Sequence, residues 1–127
     1  MERHTFNKKE KLKSRKSIEI LFRTGNSISS PPLRLIYRKI NDGSAPIMMT
    51  VSVPKKLIKK AVHRNLLKRR IREVYRQLKP AITKQTEEKS FHYEIMFVYQ
   101  ASEVVEYRTI KNAVNVLLIR LSEIISR

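Results

Sequence analysis

Residues 64–76 read Arg-Asn-Leu-Leu-Lys-Arg-Arg-Ile-Arg-Glu-Val-Tyr-Arg, a stretch that concentrates the chain's chemistry. Set on a helical wheel at roughly 100° per residue, Leu67, Ile71, Val74 and Leu78 gather on one side. Asn65, Lys68, Arg69, Arg72 and Arg76 gather on the other. One side suits a protein core and the other suits phosphate. Side chains three and four apart on a helix lie about 5–6 Å from each other, close to the spacing of successive phosphates along a nucleic-acid strand. The cations therefore form a ladder that can follow a backbone, with guanidinium forks able to bridge phosphate oxygens and an asparagine able both to donate and to accept.

No second constellation competes with this one. His4, His63 and His92 are scattered and keep no metal-ligand company, so no metal site on the protein is expected. The few acids form no pair suited to general acid–base work, and there is neither a glycine-rich phosphate loop nor a serine tied by motif to a base. No catalytic residue is assigned. Cysteine is absent, which removes disulfides, thiolate zinc sites and cysteine nucleophiles together and fits a reducing compartment. No apolar run approaches the roughly 20 residues of a membrane span, and the first fifteen residues are charged, so a cytoplasmic location is expected.

The formal charge of +17 is unevenly placed. Residues 1–79 hold 22 lysines and arginines against five acids, whereas residues 80–127 hold six of each. A footprint confined to one part of a folded chain predicts one polyanion-binding surface whose affinity falls with salt through counterion release. With 127 residues, 41% of them hydrophobic, the chain is expected to form one domain over residues 1–127 with a modest core.

The elements that must position the ladder can be read around it. Residues 1–13 are polar and basic and are expected to form a flexible arm. Ser14 can cap a first helix to about Arg23, with Ile18, Leu21 and Phe22 at helical spacing and Gly25 as the stop. After a turn-rich stretch at residues 26–32, residues 33–40 and 46–53 flank Asn41-Asp42-Gly43 and read as an antiparallel hairpin. The two-faced helix follows, stopped by Pro80, and residues 83–90 read as an exposed loop. Residues 93–99 (YEIMFVY) have the apolar and aromatic content of the most buried strand. A long terminal helix carries Tyr107, Ile110, Ala113, Val114, Leu117, Leu118, Leu121, Ile124 and Ile125 on a stripe that packs on the sheet. The predicted class is α+β, one mostly antiparallel sheet covered by helices, in the order α-β-β-β-α-β-α.

Lys55-Lys56, then seven residues, then Arg64-Asn65-x-x-Lys68-Arg69-x-x-Arg72-Glu73-x-x-Arg76 resembles the signature of the bacterial ribonuclease P protein subunit. The order of elements matches that family along nearly the whole chain. The resemblance implies a small basic protein that joins a large catalytic RNA to remove the 5′ leader of precursor tRNA, without an obligate protein partner. It also implies that the helix between two parallel central strands makes a left-handed crossover, against the usual hand. It implies that Lys55, Lys56, Arg64, Asn65, Lys68, Arg69, Arg72 and Arg76 face the catalytic RNA, with Glu73 orienting Arg69 or Arg76 in the helix. It further implies a leader-binding cleft between the first helix and the sheet, holding Phe22 and Tyr37, with Lys13, Arg15, Arg34 and Arg38 supplying charge. Ile18 stands where many relatives have a second aromatic, and residues 57–60 lack the glycine many relatives have. No cofactor is expected on the protein, and magnesium is expected at the RNA's own active site. The rivals on sequence grounds are a ribosomal or ribosome-assembly protein, a DNA-binding domain and an autonomous nuclease. The DNA reading offers only Asn65 as an adenine reader and no partner helix, and the nuclease lacks a carboxylate cluster.

Overall fold

The computed structural model describes residues 8–127. Ser14 begins helix α1 (Arg15–Thr24), its hydroxyl oxygen accepting from the Ser17 amide at 3.3 Å. Gly25 ends it, although not through a left-handed conformation, since its φ is −71°. A Cβ there would stand 2.6 Å from the Leu21 carbonyl oxygen and 2.8 Å from Ile36 Cγ2, so close approach to the sheet is what requires glycine.

Four strands follow: β1 (Asn26–Ser30), β2 (Leu33–Ile40), β3 (Ile47–Ser52) and β4 (His92–Tyr99), in the spatial order β1-β2-β4-β3. Only β3 and β4 pair in parallel, and helix α2 (Ala61–Glu88) connects them. Helix α3 (Tyr107–Ile125) closes the chain. The architecture is the expected α+β sandwich in the expected element order, with two differences, one in strand pairing and one in helix length.

The first difference is the hairpin. β2 and β3 are not partners, because β4 lies between them, antiparallel to β2 and parallel to β3. Residues 93–99 are all buried, and a strand that apolar needs neighbours on both edges and cover on both faces. The antiparallel hairpin is instead β1–β2, turning at Pro31-Pro32 and pairing Asn26 with Tyr37, so residues 26–30 are a strand and not part of a turn. For the same reason the two parallel strands are not both central, and β3 lies at the sheet's edge.

The second difference is the length of α2. Pro80 does not stop it, and the helix runs on through the stretch expected to be a loop, about 42 Å in all at 1.5 Å per residue. Proline removes one backbone donor, but the turns beyond it are held by tertiary contacts. Ile82 and Thr86 are buried. The Gln85 amide donates to the Ser122 carbonyl at 2.9 Å and accepts from the Ser122 hydroxyl at 2.6 Å, joining α2 to α3.

The period-2 alternation of the strands divides the core. Leu33, Leu35, Met49, Val51, Ile95 and Phe97 face α2 and α3, packing on Leu67, Ile71, Val74, Leu117 and Leu121. Ile36, Met96 and Val98 face the other way and meet Leu21 of α1 and Leu12. Residues 8–13, expected to belong to a flexible arm, are instead tied to the fold. Residues 8–10 form a 3-10 turn, Lys11 bridges to Met49, and the Leu12 amide donates to the Met49 carbonyl at 3.0 Å, which covers the open edge of β3. Glu10 and the buried Lys79 pair at 2.5 Å and tie this segment to α2. Residues 1–7 of the arm lie outside the described residues.

Candidate nucleic-acid interface

Leu67, Ile71 and Val74 are fully buried, which fixes the rotation of α2 and turns its other face outward. Leu78 is half-buried, and Tyr75, assigned to neither side, is buried with them, its hydroxyl pushed above the ordinary phenol range first by burial and then by the nearby Glu10 carboxylate. Asn65, Arg69 and Arg72 are exposed, and Lys55 and Lys56 are exposed on the turn that precedes the helix. Arg70 points away from this face, its Nη1 donating to the Val105 carbonyl at 3.0 Å.

Two of the expected phosphate ligands are engaged within the protein. Arg64 Nη1 donates to the carbonyls of Ile58 and Lys59, at 2.9 and 2.7 Å. Arg76 holds Glu73 in a fork, Nη2 to Oε1 at 2.6 Å and Nε to Oε2 at 3.2 Å, so Glu73 orients Arg76 and not Arg69. The bonds from Arg76 hold the Glu73 carboxyl below the usual carboxylate range, and the same bonds raise Arg76. Glu73 thus stays ionised at neutral pH and offsets part of the charge of the ladder. Glu73→Gln is therefore expected to tighten RNA binding by less than about tenfold, because exposed pairs are worth little. A titration of RNA against both proteins checks it.

Between α1 and β3 lies a hollow of about 430 Å³. Ile18, Phe22, Thr50, Ser52, Met96 and Lys68 line it, with Glu19 as the acid at its rim. Phe22 is 58% exposed, so its ring is not a core residue despite its neighbour Leu21. Lys68 belongs to the ladder and to the hollow at once, and Arg72, one turn on, lines the adjoining groove with Lys11 and Thr50. The expected RNA face and the expected cleft are therefore one continuous surface. The strand hydroxyls of Thr50 and Ser52 were missed by sequence reasoning; only the alternation of β3 marks them, once the covered face is known.

Tyr37 is not in this hollow. It alternates with Ile36 along β2 and packs on the opposite side of the sheet, against the core under α2 and α3. Arg34 and Arg38 do share the α1 side, but in different rows. Arg34 stands across from Val98 and Ser52, at the hollow's level. Arg38 stands across from Glu94 and Met48, four residues or about 13 Å along the strand. There its Nε donates to the buried Glu94 carboxylate at 2.6 Å, which a charge on that face of the sheet requires. Lys13 and Arg15 are exposed at the start of α1, roughly 10 Å along its axis from Phe22, and do not line the hollow.

Among the described residues no three His, Asp or Glu side chains gather as a metal cluster, and no helix is long and apolar enough to cross a membrane.

A family model described as Ribonuclease P matches residues 6–122, a span that contains the ladder, the hollow and all four strands. The chain belongs to the ribonuclease P protein family. RNA binding and the maturation of tRNA 5′ ends follow from that membership. The ribonuclease P protein component of Porphyromonas gingivalis is 34% identical over 116 residues, covering 91% of this chain and 85% of the relative. That of a Picosynechococcus species is 32% identical over 113 residues, with 89% and 90% covered. Among solved structures, the ribonuclease P protein of Thermotoga maritima superposes with a TM-score of 0.70 at 26% identity, over 87% of this chain and 96% of that one. The Staphylococcus aureus ribonuclease P protein, at 20% identity and a TM-score of 0.66 over 90% and 95%, shares the fold.

Proposed function

We propose that the outward face of α2 docks on the RNA of ribonuclease P while the hollow beside α1 holds the 5′ leader of precursor tRNA. The observation that carries this reading is Lys68, which stands in the ladder and lines the hollow with Phe22. A single strand leaving the catalytic RNA's surface meets an exposed aromatic face, two strand hydroxyls and a cation in sequence. Stacking on Phe22 accepts any base, since every base has a π-face. Thr50 and Ser52 offer hydroxyls that donate and accept, and Lys68 meets phosphate. Ile18 gives the hollow an apolar wall without a second stacking surface.

The protein's part is binding and positioning. Its cations screen the repulsion between two RNAs, and the hollow adds contacts outside the mature tRNA. Phosphodiester hydrolysis belongs to the RNA and to the magnesium ions it holds, which supply an activated water. On this reading the protein acts in the cytoplasm, beside its RNA partner.

The hollow is tested by comparing affinities of the assembled holoenzyme for precursor tRNA and for mature tRNA. Phe22→Ala is expected to weaken precursor binding by roughly tenfold, within the range for loss of one stacked base, and to leave mature tRNA binding unchanged. Tyr37→Ala is expected to lower the melting temperature without any leader-specific loss. Equal losses on both ligands for Phe22→Ala, or a leader-specific loss for Tyr37→Ala, would contradict the placement.

A further inference from the structure

The turn at residues 54–60 is more rigid and more basic than its role as a connector requires. The Leu57 and Ile58 amides both donate to the Pro54 carbonyl at 3.1 Å, and Ile58 is buried. Arg64 reaches back from the first turns of α2 and binds the carbonyls of Ile58 and Lys59 with a single nitrogen. The loop opposite is fixed as firmly. The Tyr99 hydroxyl donates to the Glu103 carbonyl and accepts from the Val105 amide, and Arg70 holds the Val105 carbonyl. Between these two walls is a hollow of about 550 Å³, with Lys56, Lys59, Lys60 and His63 on one side and Ser102 and Val104 on the other. No lining residue is acidic; Glu103, between Ser102 and Val104, is not among them.

We infer that this hollow seats phosphate groups of an RNA strand, and that Arg64 is its positioning residue and not one more phosphate contact. The inference rests on the RNA-binding reading and extends it to Lys59 and Lys60. Three exposed lysines gathered around one concavity repel one another in the free protein, and a phosphate oxygen placed among them relieves that repulsion. The rigidity has a use only if the cations must be presented in one arrangement. Arg64 Nη1 supplies it: its two N–H bonds are fixed in the guanidinium plane and meet the two carbonyls together, an arrangement that the freely rotating ammonium of lysine does not hold.

The test uses the full chain with Lys59→Ala/Lys60→Ala, Arg64→Lys and, as reference, Arg69→Ala on the ladder. Binding is measured over a salt series in two arms, ribonuclease P RNA alone and precursor tRNA added to preassembled holoenzyme. The lysine pair is expected to flatten the slope of log K against log salt by about 2 in one arm. A change in the first arm assigns the phosphates to the catalytic RNA, and a change only in the second assigns them to the substrate. Arg64→Lys, which keeps the charge, is expected to weaken the same arm at least tenfold and to speed amide exchange at residues 55–60. The seat is overturned if the lysine pair leaves both arms unchanged while Arg69→Ala flattens the slope. Binding by Arg64→Lys equal to that of the unaltered chain overturns the positioning role. If Arg69→Ala also has no effect, the RNA-binding reading fails and takes the seat with it.

Discussion

Replacing Lys68, Arg69 and Arg72 together by alanine makes RNA binding far less sensitive to salt. If each cation neutralises one phosphate, the slope of log K against log salt becomes shallower by roughly 2.7, at about 0.9 per contact. Between about 50 and 200 mM salt, the unaltered chain then loses some 40-fold more affinity than the variant does. These three are chosen because Arg64 and Arg76 already serve partners inside the protein. Arg69 and Arg72 are exposed and Lys68 is half-buried, all on a helix surface where alanine is the most favourable residue. The variant should therefore fold, with an unchanged circular dichroism spectrum and melting temperature. Filter binding to ribonuclease P RNA across the salt series is the measurement. Parallel slopes for the two proteins would mean that this face of α2 meets no phosphate.

The opposite face of the same helix gives the second large effect, on folding. Ile71 is completely buried between the sheet and α3, and Ile71→Asp places a carboxylate there with no partner. The penalty for an uncompensated buried charge is several kcal/mol, set against a total stability of about 5–15 kcal/mol for a domain. The chain is expected to be unfolded, or to melt tens of degrees lower, by thermal denaturation. Ile71→Val removes one methylene, costs about 1 kcal/mol, and should leave RNA binding intact. A cooperative melt for Ile71→Asp at the same temperature as for the unaltered chain would show that this face is not embedded, and the cations opposite would lose their fixed direction.

Both predictions come from a pattern that local periodicity made legible. The 3.6-residue spacing of Leu67, Ile71 and Val74 needs no knowledge of the partner surface, and neither does the stripe of α3 or the continuous apolar run of β4. The capping by Ser14 is likewise local, settled within three residues. What escaped the sequence was decided at a distance. The Asn41-Asp42-Gly43 turn suggested that β2 and β3 pair, but pairing is chosen by which strand most needs two neighbours, and that strand, β4, lies beyond the whole of α2. Pro80 carries a real local cost, and the helix tolerates it because Ile82 and Thr86 are buried and Gln85 and Ser122 exchange hydrogen bonds between α2 and α3.

The same distinction governs the site. That Lys68, Arg69 and Arg72 share a face opposite Leu67, Ile71 and Val74 was readable because a helix shows its faces in its spacing. Tyr37 was misplaced because a strand's two faces look alike until the covering helix is assigned, and one residue of offset moves a side chain through the sheet. The structure puts Ile36 under α1 and Tyr37 under α2 and α3, and thereby replaces Tyr37 in the cleft with Thr50, Ser52 and Lys68. Arg38 was misread for a related reason, since its pairing with Glu94 depends on the β2–β4 register. The docking of residues 11–12 escaped notice because Leu12, a single apolar residue among charges, gives no periodic signal, yet it is buried beside β3.

The most direct test is to add the purified chain to a bacterial ribonuclease P RNA at low magnesium, with precursor tRNA as substrate. The expected result is a strong stimulation of cleavage at the mature 5′ end, larger for precursors with a leader long enough to reach Phe22, and reduced by the Lys68, Arg69 and Arg72 replacements. No stimulation where both RNAs are folded, or cleavage by the protein without the RNA, would contradict it.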